Sequence, residues 1–155
     1  VSDYKLTIEL VPSSSWFDNV RSALSKSEWD NLKKIVYKKA NYVCEICGGV
    51  GDKHPVECHE IWEYNDKKLT QKLLGMIALC PDCHMVKHIG LAQIQGKYSK
   101  ALNHFKKINK VSEKKANLYI SECFILWNSR SSKKWTLDIS HLSAYNIDVD
   151  KIIKK

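Results

Sequence analysis

The chain has 155 residues, 44% hydrophobic and 27% charged, with only 6 Gly and 3 Pro. That mix suits one folded domain with appendages and excludes collagen-like, low-complexity and wholly disordered chains. The longest apolar stretch, residues 73–80, falls far short of the ~20 residues that cross a bilayer, so no membrane span is expected. The first eleven residues lack a basic segment followed by an apolar one, which leaves the cytoplasm as the default compartment. The formal net charge is +8, and 23 of the 25 basic residues are Lys. Such a surplus favours a polyanionic partner, although a merely solvated surface gives the same composition.

Residues 5–11 alternate apolar and polar side chains and predict a short strand, followed by a turn-rich Pro12-Ser13-Ser14-Ser15 loop that carries Trp16 and Phe17. Ser25 and Glu28 have capping-box spacing, and Trp29, Leu32, Ile35 and Val36 recur at helical intervals. A helix is therefore predicted to run into Tyr37 or Lys39, with Lys33, Lys34, Lys38 and Lys39 on its outer face. Residues 55–62 have strand composition, and residues 75–79 form a short apolar run suited to a buried partner strand. Pro81 suits the first turn of a helix, which makes residues 82–89 helical and the local order strand, strand, helix.

Beyond Gly96 the chain reads as helical again, and its clearest helix opens at Ser112 and Glu113. There Ala116, Tyr119, Ile120, Cys123, Phe124 and Trp127 form one apolar stripe, read as core with Cys123 an inert buried thiol. Residues 97–115 hold seven Lys against one acid, Glu113. Lys97, Lys100, Lys106 and Lys107 here, with Lys33 and Lys34 on the first helix, are the candidate grip for a nucleic-acid backbone; a solvated helical face explains them equally. Three segments result: an N-terminal strand and loop (residues 1–24), a core with its leading helix (residues 25–96), and a helical C-terminal extension packed on that core (residues 97–155).

Cys44-Glu45-Ile46-Cys47 and Cys80-Pro81-Asp82-Cys83 are two Cys-x-x-Cys pairs separated by 32 residues. Each pair can present two thiolates to one tetrahedral ion, and together they complete a closed structural zinc site. A redox dithiol pair is the competing reading. Gly48 and Gly49 suit the tight turn a backbone makes around a metal. Bound zinc would contribute about 10 kcal/mol of folding energy and leave no open position for chemistry. His84 and His88, four residues apart, project from one face of a helix and form a metal edge. His59, in the strand 25 residues before His84, would be brought alongside by a strand packed on that helix.

The pattern Cys44-x-x-Cys47, then Glu57-Cys58-His59-Glu60-Ile61, then Leu79-Cys80-x-x-Cys83-His84-x-x-x-His88 resembles the HNH endonucleases, the ββα-metal nuclease fold in its zinc-knuckle form. The resemblance covers residues 29–90, under half of the chain. It implies an α+β fold in which a small zinc-stapled ββα core is flanked by N- and C-terminal helices. It also implies one divalent cation that binds the scissile phosphate of DNA, held by His59 from the strand and by His84 and His88 from the helix. The chain departs from the family at two positions. Glu60 stands where the family usually has the general-base His, and Gly75 falls near the usual middle Asn, making this an H-E…H variant. A carboxylate with a reference pKa of ~4.3 is a weaker base than imidazole unless burial raises it. Glu60 is thus a general base or a fourth metal ligand, against a plain surface glutamate, and His54 is a spare base.

The expected activity is metal-dependent endonucleolytic hydrolysis of DNA, with RNA as an alternative substrate, and with Glu60 and His59 as the catalytic residues. Zn²⁺ is the structural ion, and Mg²⁺, Mn²⁺, Ni²⁺ or Zn²⁺ the catalytic one; imidazole-rich ligation suits Zn, Ni or Mn better than Mg. The rival reading is a zinc-dependent nucleic-acid-binding module that has lost the chemistry. Either could work as a homodimer.

Overall fold

The computed structural model describes residues 3–153. Three strands and seven α-helices are present among them: α1 (Val20–Ala23), α2 (Lys26–Lys39), β1 (Glu57–Asn65), β2 (Thr70–Leu79), α3 (Pro81–Lys87), α4 (Ile89–Ile94), α5 (Tyr98–Asn109), α6 (Glu113–Ser131), β3 (Thr136–Asp138) and α7 (Val149–Ile153). The fold is mixed α+β. No helix of the described residues is long and apolar enough to cross a membrane.

Helix α2 begins where the capping box places it. The Ser25 hydroxyl accepts from the Glu28 amide at 3.2 Å, and the Glu28 carboxylate accepts from the Ser25 amide at 3.0 Å. β1 and β2 form an antiparallel hairpin in which His59 lies opposite Ile77, with a register shift at Ile61/Trp62. The Asn65 side chain closes the turn by accepting from the amides of Lys67 and Lys68, at 3.1 and 2.9 Å. At the start of α3, the Cys80 sulfur caps the helix and Pro81 occupies its first turn. The order strand, strand, helix thus follows the sequence reading.

Three features differ from it. Residues 5–11 are not a strand: no other strand runs beside them, and their backbone is satisfied piecemeal. The Leu6 amide donates to the Asn109 side chain, the Ile8 amide to the Tyr119 hydroxyl, and the Glu9 amide to the Lys87 carbonyl. The alternation reports burial alone, with Leu6 and Ile8 turned into the core. The helix expected over residues 82–89 breaks at His88, whose φ of −110° and ψ of 49° end α3 and start α4. The C-terminal extension is not wholly helical, because β3 joins the sheet parallel to β2; three residues are too few to carry a strand pattern.

Two clusters of buried side chains straddle the sheet. One gathers Leu6, Ile8, Leu79, Val86, Ile89, Phe105 and Ile120, and the other Val20, Leu32, Val36, Leu73, Met76 and Leu142. Both therefore draw on chain from before and after the zinc-knuckle region. Arg130 of α6 grips Asp66 in the hairpin turn through two contacts of 3.0 and 2.9 Å. Phe105 is fully buried, edge-on to Tyr4 at 5.3 Å and stacked on Tyr119 at 5.6 Å. Phe105→Ala is expected to cost about 3–5 kcal/mol, read as a lower urea midpoint of the zinc-loaded chain. A loss below about 1 kcal/mol would show that the ring is not packed as described.

Candidate metal centres and the cleft beside them

The Cys44, Cys47, Cys80 and Cys83 sulfurs all lie within 4.8 Å of one another, and the Cys47 and Cys80 sulfurs are 3.6 Å apart. A disulfide is about 2.05 Å long, so these are free thiols. A tetrahedron with Zn–S of about 2.3 Å has edges near 3.8 Å, which the 3.6 Å separation fits. Backbone amides point at the sulfurs as in a knuckle, from Cys47 to Cys44 at 3.5 Å, Gly49 to Cys47 at 3.4 Å and Cys83 to Cys80 at 3.4 Å. The chain turns at Gly48 with a φ of +75°, where a side chain would be strained. Gly51 is needed for a different reason, since a Cβ there would lie 2.3 Å from the His54 carbonyl oxygen and 2.6 Å from Pro81 Cδ.

The knuckle is tied to the sheet through Glu45, whose amide donates to the Ala78 carbonyl and whose carboxylate accepts from the Ala78 amide at 2.7 Å. Crowding sets the four thiols against one another. A hydrogen bond from Cys83 holds Cys44 down at about 4, whereas burial and its neighbours push Cys80 up to about 11. Cys83 is raised further still, chiefly by its bond to Cys44. A doubly charged ion would relieve that competition by taking all four as thiolates. The four cysteines could hold zinc.

The second cluster is built from β1 and the α3–α4 junction. His59, His84 and His88 each offer a ring nitrogen within 4.8 Å of the others, with ring centroids 5.0 to 5.3 Å apart. Strand alternation turns Glu57 and His59 toward α3 and Cys58, Glu60 and Trp62 toward α1 and α2. Each of two rings is held from outside by a carboxylate. Glu9 lies 3.3 Å from His59 Nε2, and Glu57 lies 2.9 Å from His84 Nδ1. His54 is 2.7 Å from the other oxygen of Glu57 and exposed. Buried Nδ1 atoms on His59 and His88 have no hydrogen-bond partner. Buried, unpartnered ring nitrogens in such a cluster suit a metal ion, and the carboxylates would fix tautomer and ring orientation.

Burial lowers the pKa of His59 and brings that of His88 down to about 3, so both rings are neutral and able to bind a cation. Burial would raise Glu9, yet the hydrogen bond from His59 and the Lys87 ammonium bring it down to about 2. Lys87 is itself buried and is ion-paired to Glu9 and hydrogen-bonded to Thr7.

Glu60 lies on the wall of a cleft of about 310 Å³ that it shares with His84, His88, Trp16 and Arg21. Its carboxylate accepts from the Val20 amide at 3.1 Å, and burial raises its pKa to about 7. Glu60 therefore stands half-buried beside the histidine cluster. The structure brings together Cys44, Cys47, Cys80 and Cys83, and separately His59, His84 and His88 with Glu60 on the adjoining cleft. It leaves the lysines apart. Lys33 pairs with Asp30, Lys100 with Asp82 and Lys106 with Glu113, Lys34, Lys97 and Lys107 are exposed, and none of the six lines this cleft. Cys123 is half-buried, and burial raises its thiol pKa. Comparison with family models, curated proteins and solved structures finds no match for the chain.

Five residues beside the two clusters escaped the sequence reading as site candidates. Glu9 and Lys87 reach the cluster from 50 and 28 positions either side of His59, Arg21 comes from α1 and Trp16 from the loop before it, and no local spacing announces any of them. His104, whose ring lies 3.2 Å from the Cys83 sulfur, had a weak signal as the one imidazole on the α5 face that carries Ala101 and Phe105. Glu9→Gln is expected to weaken divalent-cation binding at the histidine cluster 10- to 100-fold. Cobalt titration followed by visible absorption reads this, with the four-cysteine site already filled by zinc. Unchanged affinity would remove Glu9 from the site.

Proposed function

We propose that the chain is a metal-dependent endonuclease of the HNH type that hydrolyses DNA phosphodiester bonds at the His59, His84 and His88 cluster. The observation that carries this reading is the convergence of three imidazoles beside a carboxylate, Glu60, on the wall of the cleft that His84 and His88 also line. The four-cysteine zinc would then serve as the structural ion, with Mn²⁺, Ni²⁺, Zn²⁺ or Mg²⁺ at the histidines. A bound cation there supplies Lewis-acid stabilisation of charge building on a phosphodiester.

The remaining work falls to the protein. Glu60, facing the cleft, takes a proton from the attacking water, and the Val20 amide keeps its carboxylate aimed. Glu9 and Glu57 hold the rings of His59 and His84 from outside so that their free nitrogens converge. Arg21 offers a guanidinium to a non-scissile phosphate at the cleft mouth. Lys33, Lys34, Lys97, Lys100, Lys106 and Lys107 serve at longer range, attracting the polyanion more than orienting it. By the family resemblance, the products carry 5′-phosphate and 3′-hydroxyl ends.

A second reading, the zinc-dependent nucleic-acid-binding module without chemistry, is favoured by one fact: Glu60 already accepts a backbone hydrogen bond from Val20, a structural task that would suffice to explain it. A supercoiled-plasmid assay with Mg²⁺, Mn²⁺ or Ni²⁺ decides between them. His59→Ala and His84→Ala are expected to lower nicking at least 100-fold, and Glu60→Gln by about 10²–10⁴, with zinc content and circular dichroism unchanged. DNA binding without nicking under every cation would establish the module instead.

A further inference from the structure

A second hollow, a groove of about 580 Å³, opens directly beside the histidine cluster. Trp16, Phe17, Leu91, Ile94 and Trp127 line it, and His88 is common to the groove and to the cluster. Trp16 stands edge-on to the His88 ring, with centroids 6.1 Å apart. Phe17 is 82% exposed and Ile94 84% exposed, so large apolar side chains are held in solvent at this spot. Among the described residues, no Lys, Arg, Asp or Glu lines the groove. Within a chain of net charge +8, this uncharged aromatic slot is set against the group of residues that would hold a phosphate.

We propose that the groove receives an unstacked nucleobase of the strand whose phosphate lies at the histidine cluster, so that the preferred substrate is single-stranded or unpaired at the scissile position. This rests on the reading of the cluster as a site for a nucleic-acid phosphodiester.

The occupant follows from what each nucleic-acid form presents. A duplex offers a protein its phosphates and the edges of its paired bases, and phosphates gain nothing from an apolar wall without cations. An unpaired strand offers a flat apolar face a few ångströms from each phosphate, and aromatic side chains bind such faces with little regard to sequence. His88 belongs to both groove and cluster, and Trp16 of the groove wall stands 6.1 Å from its ring, so the base slot directly adjoins the phosphate site. The slot is also uncharged, which suits a neutral heteroaromatic ring better than an acidic or basic peptide.

The test uses the zinc-loaded full chain in a His84→Ala background, which preserves the probe from cleavage, and a short oligonucleotide carrying one 2-aminopurine, single-stranded or annealed. Expected are quenching of the single strand on binding, at least about tenfold tighter binding of it than of the duplex, and a loss of about tenfold with Phe17→Ala. Leu118→Ala, at an exposed position outside both hollows, leaves binding unchanged. Equal affinity for the two forms, indifferent to Phe17→Ala, overturns the inference. So does a concentration-dependent dimer in sedimentation that Phe17→Ala dissociates, because the occupant is then a second copy of the chain. Separate cleavage assays on the chain with His84 intact distinguish the two readings. Cleavage of both forms without a single-strand preference sinks the base slot alone, whereas single-strand binding with no cleavage under any cation sinks the nuclease reading alone.

Discussion

Four sulfurs crowded within 4.8 Å cannot all carry charge without a cation between them, and the remaining architecture depends on how that conflict is resolved. Zinc would turn the repulsion into attraction of about 10 kcal/mol, comparable to the whole stability of an ordinary domain. The knuckle loop, the end of β2 through Ala78 and the first turn of α3 are then one rigid corner. Helix α3 is only seven residues long, too short to hold itself together in water, so its orientation is set by that corner. His84 and His88 inherit their positions from Cys80 and Cys83.

The second centre is held differently. His59 comes from a strand, its outer nitrogen is met by Glu9 from the leading segment, and Glu9 is in turn neutralised by Lys87. A buried ammonium and a half-buried carboxylate oppose one another beside a neutral imidazole. Removing either partner would leave an uncompensated charge in low dielectric, a costly condition. The arrangement stabilises one ring orientation more than it stabilises the fold as a whole.

Local chemistry was legible in the sequence and distant chemistry was not. The Ser25–Glu28 box, the paired Cys-x-x-Cys spacings, Pro81 at the start of a helix and the His84/His88 pair are all written within a few residues, and each stands in the structure where its spacing placed it. The alternation of residues 5–11 was real but incomplete: it reported which side chains are buried, while the backbone partners that would decide strand or coil, Asn109, Tyr119 and Lys87, lie some 80 to more than 100 positions away. Glu9 therefore read as the polar member of a strand. The break at His88 was equally hidden, because an i, i+4 pair looks the same whether or not the helix ends at its second member. Glu60 was legible as a departure from a pattern, but its burial came only with the packing of α1.

The lacing of residues 5–11 across α3, α5 and α6 bears on how such a chain can evolve. A metal-binding core that supplied all its own supports could be copied between proteins as a cassette. Here, the stretch from the first cysteine to the last histidine omits Glu9, the residue that neutralises Lys87 and orients His59. Transplanted alone, it would carry a buried lysine with no counter-charge into its new host. The core keeps its charge balance only in company with the leading segment that carries Glu9.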